Sequence, residues 1–140
     1  IISFTSKRDV TIKNIGKDQK FIKYGKHAGG TPDGIGFGFG IEVKCPDSKT
    51  HFIYSTQINS SSDLKNVKKE YYWQIQSLML FTGKNYWYFI SYDSRFKNKS
   101  KRLHFVKIER NEQDIDFLKL RLEMAINQKK QLLYDFRNRK

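Results

Sequence analysis

The chain has 140 residues, 38% of them hydrophobic, with 27 Lys or Arg against 14 Asp or Glu, a formal charge of +13. One folded domain of this size buries roughly two-thirds of its unfolded surface, which excludes a disordered chain. The longest apolar run, Tyr86 to Ile90, is far short of the roughly 20 residues of a spanning helix, so no membrane is expected, and a lone Cys45 excludes an internal disulfide, in keeping with a reducing compartment.

Ile1 to Lys26 is polar and lysine-rich, with weak strands expected over Asp9 to Lys13 and Phe21 to Tyr24. From His27 the glycine-punctuated stretch Ala28-Gly29-Gly30-Thr31-Pro32-Asp33-Gly34-Ile35-Gly36-Phe37-Gly38-Phe39-Gly40 predicts a hairpin that leads into Ile41-Glu42-Val43-Lys44-Cys45-Pro46. Alternation along that second strand puts Glu42 and Lys44 on one face and Ile41 and Val43 on the other, with Pro46 ending it. A polar stretch follows, and the serines at 60 to 62 predict the N-cap of a helix over 63 to 81 that closes at Thr82-Gly83. On it Val67, Tyr71, Gln74 and Leu78 share a face, so Gln74 is expected to point inward, where a buried amide must find partners. Asn85 to Ser91 lacks alternation and predicts a central strand covered on both faces, and Leu103 to Glu109 predicts a strand nearer an edge. Ile115, Leu118, Leu122, Ala125, Leu132 and Phe136 predict a final helix before the basic tail Arg137-Asn138-Arg139-Lys140. Together these elements predict an α/β fold, a mixed β-sheet flanked by α-helices.

Charge is not spread evenly. Residues 1 to 30, 61 to 100 and 101 to 140 carry net charges of +5, +4 and +5, whereas 31 to 60 carries −1. Lysines that gather phosphates around a short carboxylate-bearing stretch suit an enzyme acting on a polyanion. Asp33 and Glu42 fall on neighbouring strands, with Lys44 beside Glu42. A hard cation such as Mg²⁺ takes oxygen ligands and keeps several waters, so two carboxylates and a backbone carbonyl suffice when phosphate oxygens complete the shell. Lys44 would then position a water or take its proton.

These residues resemble a known family, the lambda-type alkaline exonucleases or YqaJ-like viral recombinases of the PD-(D/E)-x-K nuclease superfamily. The similar segments are Thr31-Pro32-Asp33-Gly34, Ile41-Glu42-Val43-Lys44-Cys45-Pro46, Tyr71-Tyr72-Trp73-Gln74-Ile75-Gln76, Lys84 to Phe89, Tyr92-Asp93-Ser94-Arg95 and Leu103 to Arg110, in the family's order. The resemblance implies a restriction-endonuclease-like core and a Mg²⁺ ion, with Mn²⁺ able to substitute, held by Asp33, Glu42 and the carbonyl of Val43. It further implies Lys44 serving the attacking water, Tyr71 and Gln74 supporting the site, and 5′→3′ degradation of one strand of double-stranded DNA. A ring-shaped homotrimer, a single-strand annealing partner and a location in the cytoplasm of a phage-infected or bacterial cell belong to the same implication. The family's N-terminal helices, and an acidic residue before Pro-Asp-Gly, have no counterpart in the sequence, Asp18 being the nearest acid; the 140 residues are expected to be a single nuclease domain, the C-terminal two-thirds of a longer member. Two rivals remain open: an endonuclease of the same superfamily and a catalytically silent DNA-binding or assembly fragment.

Other candidates are weaker. The alternating glycines 34, 36, 38 and 40 do not fit Gly-x-Gly-x-x-Gly, and no helix follows them to receive a phosphate. Cys45 reads as a small buried hydrophobe, His27 as a solvated turn residue, Arg95 as a phosphate contact or an ion-pair partner of Asp93, and the aromatic run Tyr86 to Phe89 as core.

Overall fold

The computed structural model describes residues 1–140. In chain order the elements are α1 (Ile2–Arg8), β1 (Ile12–Lys13), β2 (Ile22–Tyr24), β3 (Ala28–Gly30), β4 (Gly34–Gly36), β5 (Phe39–Lys44), α2 (Ser48–Gln57), α3 (Ser61–Val67), α4 (Lys69–Thr82), β6 (Tyr86–Tyr92), β7 (Leu103–Glu109) and α5 (Glu112–Arg137). The main sheet has the order β1-β4-β5-β6-β7, parallel between β5 and β6 and antiparallel elsewhere, and β2 and β3 form a separate hairpin.

The absence of alternation in β6 has the expected consequence. Trp87 and Phe89 enter a core with Tyr54, Ile58, Leu64, Ile75, Met79 and Ile108, beneath the helices, while Tyr88 and Ile90 enter a second core with Phe4, Phe39 and Ile41 on the opposite face. β7 forms one edge of the sheet and β1 the other. The glycine alternation is explained by packing: a Cβ at Gly40 would lie 2.2 Å from the Trp87 ring, so only glycine lets this aromatic cross the strand.

Four expectations are corrected. The chain begins with a short helix, α1, held by Phe4, which is fully buried against Tyr88 and Phe105. The polar stretch after Pro46 is a helix, α2, capped by the Asp47 carboxylate, which accepts from the Thr50 N–H at 2.7 Å; its buried His51, Tyr54 and the following Ile58 fall at spacings of three and four, too few apolar residues to signal it. The expected helix over 63 to 81 is two helices. Ser60 caps α3 by accepting from Asp63 N–H, but Lys68 leaves helical geometry (φ −141°, ψ 71°), and α4 restarts in a new direction. Finally, the periodic helix α5 is real, yet only Ile115 is fully buried. Its distal apolar side chains stand free, Phe136 at 75% exposure, because no other element lies beside them.

Candidate active site

β4 and β5 pair with Gly34 opposite Ile41, and continuing that register by one residue sets Asp33 opposite Glu42. Opposed residues of an antiparallel pair share a face. The Asp33 carboxylate bends over the end of its strand: one oxygen accepts from the Val43 N–H at 2.8 Å and the other from the Gln19 side-chain amide at 3.1 Å. Since the N–H and C=O of one strand residue leave the same edge, the Val43 carbonyl also points toward Asp33.

Glu42 is only 2% exposed, on the face of β5 that looks toward α4. Its Oε1 accepts from Lys44 Nζ at 2.6 Å, and its Oε2 is buried with no hydrogen-bond partner. Leaving a charged oxygen unmet inside a protein costs free energy, so its persistence points to a ligand rather than to stability. Burial pushes the Glu42 carboxyl above its usual 4.5 and Asp33 pushes in the same direction, while Lys44 and, more weakly, Gln74 oppose them. For Lys44, burial works downward but the hydrogen bond and charge of Glu42, aided by Tyr71 and Asp33, outweigh it and hold the amine above 10.5. Lys44 is therefore an ammonium while it faces Glu42, a donor and not a base. The same Nζ lies 4.5 Å from the centre of the Tyr71 ring, which packs on Phe89 and Tyr54.

Of the residues singled out in the sequence, Asp33, Glu42, Val43, Lys44 and Tyr71 converge at this end of β5. Gln74 is on the neighbouring turn of α4 but is exposed, not buried. The buried amide is Gln76, which donates to the Glu109 carbonyl at 2.8 Å and accepts from the Asn111 N–H at 3.1 Å. The two were exchanged because the inward face of α4 is centred on Tyr72, Ile75 and Met79, which includes Gln76 and leaves Gln74 on the outer flank. Cys45, expected to be buried, is exposed. Its strand has passed beyond β4 at that point, leaving nothing to cover the thiol. Arg95 donates to the buried Asp93 at 2.7 Å and to the Pro46 carbonyl at 2.8 Å, and His27 is exposed in the turn between β2 and β3. Gln19 escaped the sequence reading because it meets Asp33 from a loop 14 residues away, with no periodicity to betray it.

The donor set suits a hard divalent ion. Two carboxylates, one with a free buried oxygen, and a carbonyl on the same edge offer oxygen ligands alone, and Mg²⁺ commonly takes few protein ligands beside waters and phosphate oxygens. No group of three or more His, Cys, Asp or Glu side chains able to hold an ion is present.

Known proteins share this arrangement of elements. The alkaline exonuclease LHK-Exo of Laribacter hongkongensis superposes with a TM-score of 0.65 at 24% identity, over 96% of this chain and 69% of that one. A phage-related exonuclease of Haemophilus somnus 129PT superposes with a TM-score of 0.71 at 20% identity, over 97% and 68%. In sequence, the ExoD protein of Escherichia coli (strain K12) is 48% identical over 46 residues, 33% of this chain and 51% of its own length, so the match spans about half of that relative. The YqaJ-like viral recombinase domain matches residues 5–85, from α1 through the Asp33–Glu42–Lys44 cluster to the end of α4, and the chain belongs to that family.

Proposed function

We propose that the chain is a metal-dependent deoxyribonuclease that hydrolyses phosphodiester bonds at the Asp33–Glu42–Lys44 cluster, working as a 5′→3′ exonuclease on ends of double-stranded DNA in phage-type recombination. The observation that carries this reading is the Glu42 oxygen that is buried, unpartnered and set opposite Asp33. The +13 charge, the family and the exonucleases that share the fold support it.

Asp33, Glu42 and the Val43 carbonyl would hold Mg²⁺ or Mn²⁺, which when bound supplies charge for the phosphate and lowers the pKa of a bound water. The protein's own part is to fix those ligands. Val43 N–H and Gln19 orient Asp33, and Lys44 offers protons to Glu42 or to a water beside it. Tyr71 confines the Lys44 ammonium from above, and Gln74, exposed on α4 within reach of the Glu42 carboxylate, would support the site from the helix. Directionality, a ring-shaped homotrimer, a single-strand annealing partner and residence in the cytoplasm of a bacterial or phage-infected cell rest on family resemblance. No helix is long and apolar enough to cross a membrane.

Linear and closed circular duplex incubated with Mg²⁺, with wild type and Lys44→Ala, test the reading. Degradation of linear DNA alone, reduced about 10²- to 10⁴-fold by Lys44→Ala, is the expected result. Nicking of circles would identify an endonuclease instead. Binding without cleavage in either metal would identify a silent DNA-binding module, the reading that the want of a third acidic ligand favours.

A further inference from the structure

The β2–β3 hairpin leads directly into Asp33 and takes no part in the cluster described above. Residues 19–32 contain three lysines, Lys20, Lys23 and Lys26, with His27, and no Asp or Glu. All three lysines are exposed, and none enters an ion pair. Among them Phe21 is 60% exposed. Its ring lies over Gly29, with ring atoms 2.5 and 2.8 Å from where a Cβ would stand, so the missing side chain provides the ring's seat. Alternation puts Phe21 and Lys23 on the same outer face, whereas Tyr24 packs inward on Phe81. Phe21, Lys23, Lys26, His27, Phe81 and Leu122 line an open groove of about 670 Å³, large enough for a nucleotide.

The hairpin also lies close to the chemistry. Its register pairs Ile22 with Gly30, so Phe21 comes opposite Thr31, two residues before Asp33 in the chain. Gln19, two residues before Phe21, touches Asp33 itself.

Unpaired ammonium groups around one open aromatic face recognise a particular chemistry: a phosphate backbone with a base free to stack. A base in the interior of a duplex has both faces covered, so the ring must take an unpaired base or the open face of a terminal pair, and a tailed and a blunt duplex separate the two. We infer that the β2–β3 hairpin is a binding site for the unpaired end of a DNA strand, with Phe21 stacking a nucleobase next to the Asp33–Glu42 cluster and Lys23 and Lys26 holding the phosphates. This inference rests on the nuclease reading, which supplies the reason for an end to lie there.

The test uses the full chain in EDTA, where no cleavage occurs, with a blunt duplex and with duplexes carrying a two-nucleotide 5′ or 3′ tail labelled with 2-aminopurine. The wild type should quench the tail's fluorescence. Phe21→Ala and Phe21→Leu should abolish the quench and weaken binding of a tailed duplex about tenfold, the order of one lost base stack, with blunt duplex changed less than twofold. Phe21→Trp should restore both. Lys23→Ala with Lys26→Ala should weaken all DNAs alike and make the slope of log K against log[salt] shallower by about 1.5. A quench that survives Phe21→Leu, or equal losses for blunt and tailed duplex, overturns the inference. So does polyglutamate displacing the oligonucleotide at equal length, which would make the hairpin a dock for an acidic protein. A normal quench without cleavage on adding Mg²⁺ sinks the nuclease reading alone; normal cleavage with Phe21→Leu indistinguishable from wild type sinks the stacking site alone.

Discussion

Two buried polar side chains, Glu42 on β5 and Gln76 on α4, are treated in opposite ways. Gln76 is fully buried and both ends of its amide are used, one on the Glu109 carbonyl and one on the Asn111 N–H, which ties α4 to the junction of β7 and α5. Glu42 is almost as buried, yet one carboxylate oxygen is met by Lys44 and the other by nothing. A satisfied buried amide rigidifies a core, whereas an unsatisfied buried carboxylate costs stability and persists where something else must bind. Burial therefore marks structure at Gln76, while at Glu42 it leaves an open acceptor, the feature on which the proposed function rests.

The largest effect should come from breaking the Glu42 side. Glu42→Gln should abolish cleavage, a loss of at least about 10²- to 10³-fold, while salt-sensitive DNA binding persists. Added Mg²⁺ should raise the melting temperature of the wild type and leave that of the variant unchanged, since only a ligand that binds the folded state stabilises it. Retained cleavage would remove Glu42 from the site. The same substitution should not lower the melting temperature at neutral pH without metal. The carboxyl's raised pKa means that the folded protein favours its neutral form, so its contribution is present below 4.5 and is lost as pH rises through the raised value.

The Gln76 side predicts the reverse pattern. Gln76→Leu leaves the Glu109 carbonyl and the Asn111 N–H without a side-chain partner and should cost about 1–3 kcal/mol in urea unfolding, with activity per folded molecule within twofold of wild type. A large loss of activity at unchanged stability would erase the distinction between the two residues.

A smaller effect sharpens it. His104 donates from Nε2 to the Ile58 carbonyl at 2.6 Å. Burial lowers its pKa below 6.5, against the pull of that hydrogen bond. The unfolded chain then binds the proton more tightly, so this contribution is full above pH 6.5 and fades as pH falls through the folded value. His104→Gln should flatten the decline in melting temperature below pH 6.5; an unchanged slope would place the titration elsewhere.

Much of this was legible along the chain. The unbroken apolar run of β6 fixes its central place, because a strand without a polar face needs cover on both sides, and Ile41-Glu42-Val43-Lys44 alternates so plainly that the pairing of Glu42 with Lys44 follows from the two-residue period. Other features could not be read locally. α2 has too few apolar residues to announce itself, and the break at Lys68 contains neither glycine nor proline. That Gln76 and not Gln74 is buried follows from the apolar face through Tyr72, Ile75 and Met79, which a face drawn through Val67, Tyr71 and Leu78 across the break misses.

The sequence by itself determined that Glu42 and Lys44 lie on one face of a strand with Asp33 nearby, since the pleat of a strand and the polarity of its side chains are local properties. Tertiary structure decided everything that depends on a partner far along the chain: that Glu42 Oε2 has none, that Gln19 reaches Asp33, that the distal half of α5 runs free of the body, and that Phe21 rests on Gly29 facing solvent. The reason is that hydrogen-bond satisfaction and exposure are sums over neighbours in space, and those neighbours are chosen only when the sheet and its helices pack.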